Sequence, residues 1–155
     1  MDGHDLLTRA FDLATEARAA GDHPFGALLA VDGEIVAEGR NRVNGDCDLT
    51  AHAETELLRL LEREGRLGQL VAGTVYASCE PCPMCVGAMF WAGVRDVVFG
   101  LSAARLRQLA TQPGEEPVGF EITAIEIGAR AMPPMVFRGP RREDEAAEAH
   151  LDFWL

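Results

Sequence analysis

Residues 78–85 read SCEPCPMC, so that three of the four cysteines in the chain fall within seven residues. Cys82 and Cys85 are three positions apart, and Pro81 and Pro83 favour the start of a helix at this point. Cysteines spaced i, i+3 at a helix start face one side of the helix, where unpaired N–H groups and the helix dipole stabilise thiolates. In a cytoplasmic chain this clustering indicates metal binding or redox chemistry rather than disulfides.

A second motif lies about thirty residues earlier, where residues 50–54 read TAHAE. A catalytic zinc ion takes three protein ligands and leaves one position for water. His52, Cys82 and Cys85 would supply one imidazole and two thiolates. Zinc lowers the pKa of its bound water, and Glu54 would carry protons between that water and a substrate. Residues i and i+2 of a helix do not share a face, so His52 and Glu54 must straddle a helix start.

Two other interpretations of the cysteines remain open from the residues alone. A lone Cys-x-x-Cys is also typical of a redox pair or of half a structural zinc site. A closed structural site would need a fourth ligand, which Cys79, Cys47 or another histidine would have to supply. The complete pattern, in order and at expected helix starts, favours the catalytic zinc site.

Hydrophobic periodicity and turn residues predict alternating helices and strands. Asp32-Gly33 predicts a tight hairpin turn, and Thr50 is expected to be the N-cap of a helix. The expected fold is α/β, a three-layer α/β/α sandwich with a mixed five-stranded sheet. The predicted helices are 5–20, 50–64, 81–91, 103–110 and 142–154, and the predicted strands are 25–31, 34–39, 73–78, 94–100 and 121–127; residues 111–119 and 131–140 are expected to be irregular.

Composition indicates one domain, residues 1–155, with residues 141–155 as a C-terminal helix or tail that could cover the site. Hydrophobic residues make up 48% of the chain and charged residues 25%, which is normal for a globular domain. No apolar run approaches the roughly 20 residues of a membrane helix, and the acidic N-terminus lacks a secretory pattern. We therefore expect a cytoplasmic protein with no membrane partner. The net charge of −11 weighs against a nucleic acid partner, because phosphate binding needs a positive surface.

The two motifs resemble those of the cytidine-deaminase superfamily, in particular its guanine deaminase, cytosine deaminase and tRNA adenosine deaminase branches. The resemblance runs from about Pro24 to Gly100 and includes the segments PFGA at 24–27 and EGRN at 38–41. It implies a cytidine-deaminase-like fold, a homodimer and one Zn²⁺ per subunit. It also implies that His52, Cys82 and Cys85 are the zinc ligands and that Glu54 is the catalytic proton shuttle.

The same resemblance suggests residues that bind the substrate. Asn41 matches an asparagine that binds the base or ribose, and the backbone N–H of Ala53 is expected to bind a ring carbonyl. Phe25 could stack on the ring or belong to the core. Phe90 and Trp91 match an aromatic pair of guanine deaminases, although they could equally be core residues.

The last five residues, 151–155, read LDFWL and resemble the aromatic, acidic tails that close the site in several free-base deaminases. Asp152 could bind a ring N–H, and Trp154 could exclude water, although a docked terminal helix would give the same pattern.

The expected function is zinc-dependent hydrolytic deamination of a free nucleobase or close analogue, such as guanine, cytosine or a related aminopurine, aminopyrimidine or triazine. One alternative is a tRNA-specific adenosine deaminase that acts on a flipped base. Another is a non-catalytic zinc-binding module, which would have no use for Glu54.

Overall fold

The computed structural model of the chain describes residues 2–155, apart from the side chain of His4. Helices and strands alternate after an initial helix and hairpin. The helices are α1 Gly3–Ala19, α2 Val43–Asp46, α3 Ala53–Arg63, α4 Gly68–Ala72, α5 Pro83–Ala92, α6 Ala103–Ala110, α7 Ala124–Arg130 and α8 Glu143–Ala147, the last continued by a 3-10 turn at Glu148–His150. The strands are β1 Gly26–Val31, β2 Glu34–Arg40, β3 Thr74–Cys79, β4 Asp96–Leu101 and β5 Val136–Arg138.

The strands form one mixed sheet in the order β2-β1-β3-β4-β5. β1 is antiparallel to both β2 and β3, whereas β3, β4 and β5 run parallel. The predicted hairpin is present, because Asp32 and Gly33 have φ values of 51° and 81°, as a two-residue turn with two left-handed residues requires. The predicted α/β fold with a mixed five-stranded sheet is confirmed.

Helices cover both faces of the sheet, because successive side chains of a strand point to opposite sides. Leu28 of β1 belongs to a buried cluster with Leu6 and Leu13 of α1. The next residue, Leu29, belongs to the cluster on the other face with Leu57 of α3 and residues of α5 and α7. The result is the expected three-layer arrangement, with α1 and α8 on one side and α3, α5 and α7 on the other.

The predicted strand at 121–127 is wrong, because the chain forms helix α7 there. The Thr123 side chain accepts a hydrogen bond from Glu126 N–H, and the Glu126 carboxylate accepts one from Thr123 N–H. This reciprocal capping box starts the helix. Ala124 and Gly128, four residues apart, form its buried side. The fifth strand lies later, at Val136–Arg138, within the segment expected to be irregular, and it pairs with the edge of β4.

Three further expectations about helices are corrected. His52, not Thr50, is the N-cap of α3. The short helices α2 and α4 were not predicted. The expected helix 142–154 is broken, because the chain leaves the helical path after His150 and Asp152 adopts a left-handed φ of 57°. This turn brings Phe153 and Trp154 back against His23, which a continuous helix would carry away.

The strand directions bring three segments to one end of the sheet. Gly26 pairs with Arg40 and Ala27 pairs with Ala77, so the start of β1 lies beside the ends of β2 and β3. The residues that flank these ends, Phe25, Asn41 and the loop 80–82, therefore converge. Within residues 2–155, no helix has both the length and the apolar character that crossing a membrane requires.

Candidate active site

His52 and Glu54 reach the same end of α3 by different backbone geometries. His52 is the N-cap, with extended φ and ψ values of −75° and 161°, whereas Glu54 lies in the first helical turn. Because His52 is not helical, the rule that residues i and i+2 diverge does not apply to the pair. The start of α3 thus accommodates both side chains.

Helix α5 presents the two cysteines at its own start. Cys82 is the N-cap, with φ −69° and ψ 164°, and Cys85 lies in the first turn after Pro83. The starts of α3 and α5 meet, so that Nδ1 of His52 lies 3.6 Å from Sγ of Cys82 and 3.5 Å from Sγ of Cys85. The two contacts thus join residues that are 30 and 33 positions apart in the sequence.

This arrangement fits a zinc ion. Tetrahedral bonds of about 2.3 Å to sulfur and about 2.0 Å to nitrogen place those ligand atoms roughly 3.5 Å apart. The ligand atoms of His52, Cys82 and Cys85 all lie within 4.8 Å of one another. One imidazole and two thiolates are also ligands that zinc prefers.

The other two cysteines lie outside this cluster, among the residues that the structure describes. Cys79 is buried in a cluster with Leu7 and Phe11 and is not one of the three grouped ligands. Cys47 is exposed, and its Sγ contacts the carbonyl of Asn44. The cluster therefore has three ligand groups, as an open catalytic site requires, and not the four of a closed structural site.

Glu54 is only 8% exposed, which is unusual for a carboxylate. Burial raises the pKa of its carboxyl to about 7, and the neighbouring Cys82 adds to this effect. A group with a pKa near the working pH can both accept and return a proton. Glu54 thus has the properties of a proton shuttle.

Cys82 is set up as a thiolate. Hydrogen bonding from Cys85 and then from His52 lowers the pKa of the Cys82 thiol to about 4, in spite of its partial burial. The N-terminus of α5 adds unpaired N–H groups and the positive end of its dipole. The thiolate is the form of cysteine that binds a metal ion.

Asn41 and Ala53 lie next to this cluster. Asn41 is 1% exposed, and its Oδ1 accepts a hydrogen bond from Val43 N–H. Its own N–H binds the carbonyl of Phe25. Ala53 is the first residue of α3, where backbone N–H groups have no partner within the helix. Gly39 allows the end of β2 to lie close to the start of α3, because a Cβ at position 39 would lie 2.4 Å from the Ala53 carbonyl oxygen.

The C-terminal tail folds back toward the same end of the sheet. The Trp154 ring lies 6.3 Å from Phe25 and 5.5 Å from His23, measured between centroids. Burial lowers the pKa of His23, and the charge of the nearby His52 lowers it further. Phe25 and Trp154, both expected at the site, therefore lie together with His23 at this end of the sheet.

Two of the expected substrate-binding residues are placed elsewhere. Trp91 is 85% exposed at the far end of α5, about 13 Å along the helix axis from Cys82 at a rise of about 1.5 Å per residue. Asp152 is exposed at the left-handed turn of the tail. The structure describes no contact of Trp91 or Asp152 with the cluster, and their roles in substrate binding stay predictions.

Cavities extend from the cluster to the tail. One of about 160 Å³ is lined by Cys82, and another of about 350 Å³ is lined by Trp154. Leu106, Arg107 and Val118 line both, so the two cavities are neighbours along one wall.

Sequence reasoning missed Glu80, which supports this wall. One carboxylate oxygen accepts a hydrogen bond from Ala103 N–H at the start of α6, and the other accepts one from Ala124 N–H at the start of α7. Nothing in the sequence around Glu80 indicated this role, because its two partners, Ala103 and Ala124, are distant in sequence.

Comparison with known proteins agrees with this site. The family model for the cytidine and deoxycytidylate deaminase zinc-binding region matches residues 2–101. The probable cytosine deaminase of Schizosaccharomyces pombe is 39% identical over 149 residues, which are 96% of this chain and 90% of that protein. The tRNA-specific adenosine deaminase of Haemophilus influenzae is 38% identical over 98 residues, 63% of this chain and 57% of that protein.

The crystal structure of guanine deaminase from Bacillus subtilis has the same fold. It superposes with a TM-score of 0.66 at 36% identity, and the match covers 79% of this chain and 86% of that one. The family match spans the hairpin, His52, Glu54 and both cysteines of the cluster. The chain therefore belongs to the cytidine and deoxycytidylate deaminase zinc-binding family, and it is a zinc-dependent deaminase.

Proposed function

We propose that this deaminase acts on a free nucleobase or a close analogue, such as guanine, cytosine or a related aminopurine, aminopyrimidine or triazine. The reaction adds water to the ring carbon that carries the amino group and releases ammonia, so that C–NH₂ becomes C=O. His52, Cys82 and Cys85 would hold the zinc ion, and Glu54 would move the protons.

The position of the C-terminal tail is the observation that supports a small substrate. Trp154 packs on His23 and Phe25 beside the cluster, and its carbonyl accepts a hydrogen bond from the Gln112 side chain. Arg18 fastens the preceding turn, because its Nη1 binds the carbonyls of Ala149 and Leu151. A flat ring fits beside such aromatic walls, whereas a polynucleotide would have to pass the tail.

The chain's own residues would divide the chemistry among them. Zinc, when bound, lowers the pKa of a water molecule. Glu54 would take a proton from the attacking water and deliver it first to a ring nitrogen and then to the leaving amine. Asn41 Nδ2 and Ala53 N–H would bind polar atoms of the ring, and Phe25 would stack on its face.

A tRNA adenosine deaminase is the second candidate, favoured by the 38% identity to the Haemophilus influenzae enzyme. The net charge of −11 argues against it, because binding to a polyanion depends on neutralising phosphates with basic side chains.

We also propose that the protein is a cytoplasmic homodimer. In support, α5 and the loop after α7 expose large apolar side chains, with Trp91 85% and Met132 88% exposed. Exposed apolar groups of this kind are typical of protein interfaces. Light scattering at several concentrations tests the proposal, and a monomer at all of them would contradict it.

Ammonia release tests the proposed function. The zinc-loaded protein is assayed with guanine, cytosine, adenine, their nucleosides, aminotriazines and a tRNA anticodon stem-loop. Glu54→Gln and Glu62→Gln are assayed in parallel, since Glu62 is an exposed residue of the same helix. We expect one free base to be deaminated, with kcat reduced roughly 10²- to 10⁴-fold by Glu54→Gln and unchanged by Glu62→Gln.

Two results would contradict the proposal. Activity on the stem-loop alone, lost as salt is raised, would establish the tRNA alternative. Full activity of Glu54→Gln on a free base would remove Glu54 from the proton-transfer role.

A further inference from the structure

His23 stands between the metal cluster and the C-terminal tail. Its ring lies 5.5 Å from Trp154 and 5.9 Å from Phe153, between centroids. Backbone hydrogen bonds connect it to the segment before His52, because Phe25 N–H binds the His23 carbonyl, Asn41 N–H binds the Phe25 carbonyl and Arg42 N–H binds the Ala51 carbonyl. His23 therefore contacts the tail with its ring and is joined through the backbone to the strand ends near His52.

The backbone on both sides of His23 is fixed. Asp22 N–H binds the carbonyl of Ala17 at the end of α1, and the Asp22 carboxylate accepts a hydrogen bond from Gly45 N–H. On the other side, the His23 carbonyl accepts a hydrogen bond from Phe25 N–H at 2.8 Å across Pro24. A residue held in this way presents its side chain in one place.

The imidazole of His23 nevertheless makes no side-chain hydrogen bond to the residues that the structure describes. Its contacts are with the edges and faces of aromatic rings, and it is only partly buried. A histidine carries two ring nitrogens, each able to donate or accept according to tautomer. Its polar atoms are thus available to bind a ligand beside the C-terminal tail.

We propose that His23 forms a hydrogen bond with a polar ring atom of the substrate and thereby contributes to the choice of base. This inference rests on the proposed function, because it needs a heterocyclic substrate beside the cluster. The rings of Phe153 and Trp154 would fix the orientation of the imidazole. One of its nitrogens would then bind a carbonyl, a ring nitrogen or a ring N–H of the base. His23 would act on binding and orientation, while the proton transfers remain with Glu54.

The experiment compares His23→Phe and His23→Gln with the wild-type protein. Phenylalanine keeps a ring against Phe153 and Trp154 but has no hydrogen-bonding atom, whereas glutamine keeps an amide and loses the ring. Steady-state kinetics use the base that the wild type deaminates, together with equilibrium binding of its deaminated product. Zinc content and Tm are measured for each protein.

We expect His23→Phe to raise KM and weaken product binding roughly 5- to 30-fold, with kcat, zinc content and Tm close to wild type. His23→Gln should recover part of the binding. Unchanged KM and product binding in His23→Phe, with an active wild type, would overturn this inference and leave the proposed function standing. A wild type that neither deaminates nor binds any base of the panel would overturn both.

Discussion

The indole N–H of Trp154 donates a hydrogen bond to Nδ1 of His150 at 3.2 Å, and the two rings are nearly parallel, with an interplanar angle of 11°. Because Nδ1 accepts, the proton of the neutral imidazole is on Nε2. That atom is buried and has no hydrogen-bond partner among the described residues. The link joins the end of the tail to the 3-10 turn that precedes it.

The first prediction concerns the pH dependence of stability. Burial, and then Arg18, lower the pKa of His150 from 6.5 to about 4. Between these values the unfolded chain binds more protons than the folded one, so stability rises with pH. Protonation of His150 in the unfolded chain should therefore lower the free energy of unfolding as pH falls from about 6.5 to 4, by a total on the order of 3 kcal/mol.

Urea denaturation at pH 7 and pH 5 measures this effect. His150→Phe keeps an aromatic ring between Phe25 and Trp154 but cannot be protonated. The variant should lose less stability than the wild type between the two pH values. Equal losses in both proteins would show that His150 does not contribute to the pH dependence.

The second prediction concerns which cysteines hold zinc. Cys85→Ser removes a thiolate from the cluster, and zinc content should fall well below the value of about one ion per chain expected for such a site. Cys79→Ala removes a buried cysteine that is not one of the three grouped ligands, so zinc content should stay unchanged. Atomic emission on dialysed protein measures both. Zinc loss in Cys79→Ala would indicate a fourth ligand.

The third prediction concerns Glu80 and the starts of two helices. Its carboxylate accepts hydrogen bonds from Ala103 N–H and Ala124 N–H, and it is favoured there by the helix dipoles. Glu80→Gln keeps the shape but loses the charge and one acceptor. We expect it to lower the free energy of unfolding by about 1–3 kcal/mol, as measured by urea denaturation. Glu121→Gln, at an exposed position, is the control and should have no effect.

The fourth prediction concerns the attachment of the tail to α1. The Arg18 Nη1 binds two carbonyls, and its guanidinium lies 5.5 Å from the centre of the Phe153 ring. Arg18→Met keeps the apolar stem but loses these interactions. Amides of residues 151–155 should exchange hydrogen faster, and KM should rise, because the tail spends more time away from the site.

Arg63→Met is the matched control for this change, since Arg63 is an exposed arginine at the end of α3. It should leave exchange in the tail and KM unchanged. Slow exchange at residues 151–155 in Arg18→Met would mean that Gln112 and the aromatic contacts hold the tail without Arg18.

Local spacing in the sequence was sufficient to predict the chemistry of the cluster. His-x-Glu and Cys-x-x-Cys each fit within a single helical turn. Both side chains of a motif can therefore lie at the same helix start. The Asp32-Gly33 hairpin was equally predictable, because its two left-handed residues are a property of the turn itself. The apolar alternation of residues 121–127 predicted a strand, whereas the capping box that Thr123 and Glu126 form starts helix α7 there.

Long-range packing decided the rest. Only the fold leaves Cys79 out of the group that His52, Cys82 and Cys85 form, and only the fold leaves Trp91 exposed at the far end of α5. The sequence by itself determined the α/β class and which three residues form the possible metal site, and it predicts Glu54 as the proton shuttle, because these depend on residue type and local geometry. The tertiary structure decided that His23 and Trp154, 131 positions apart, share one wall, because contacts between distant residues arise only when the chain closes on itself.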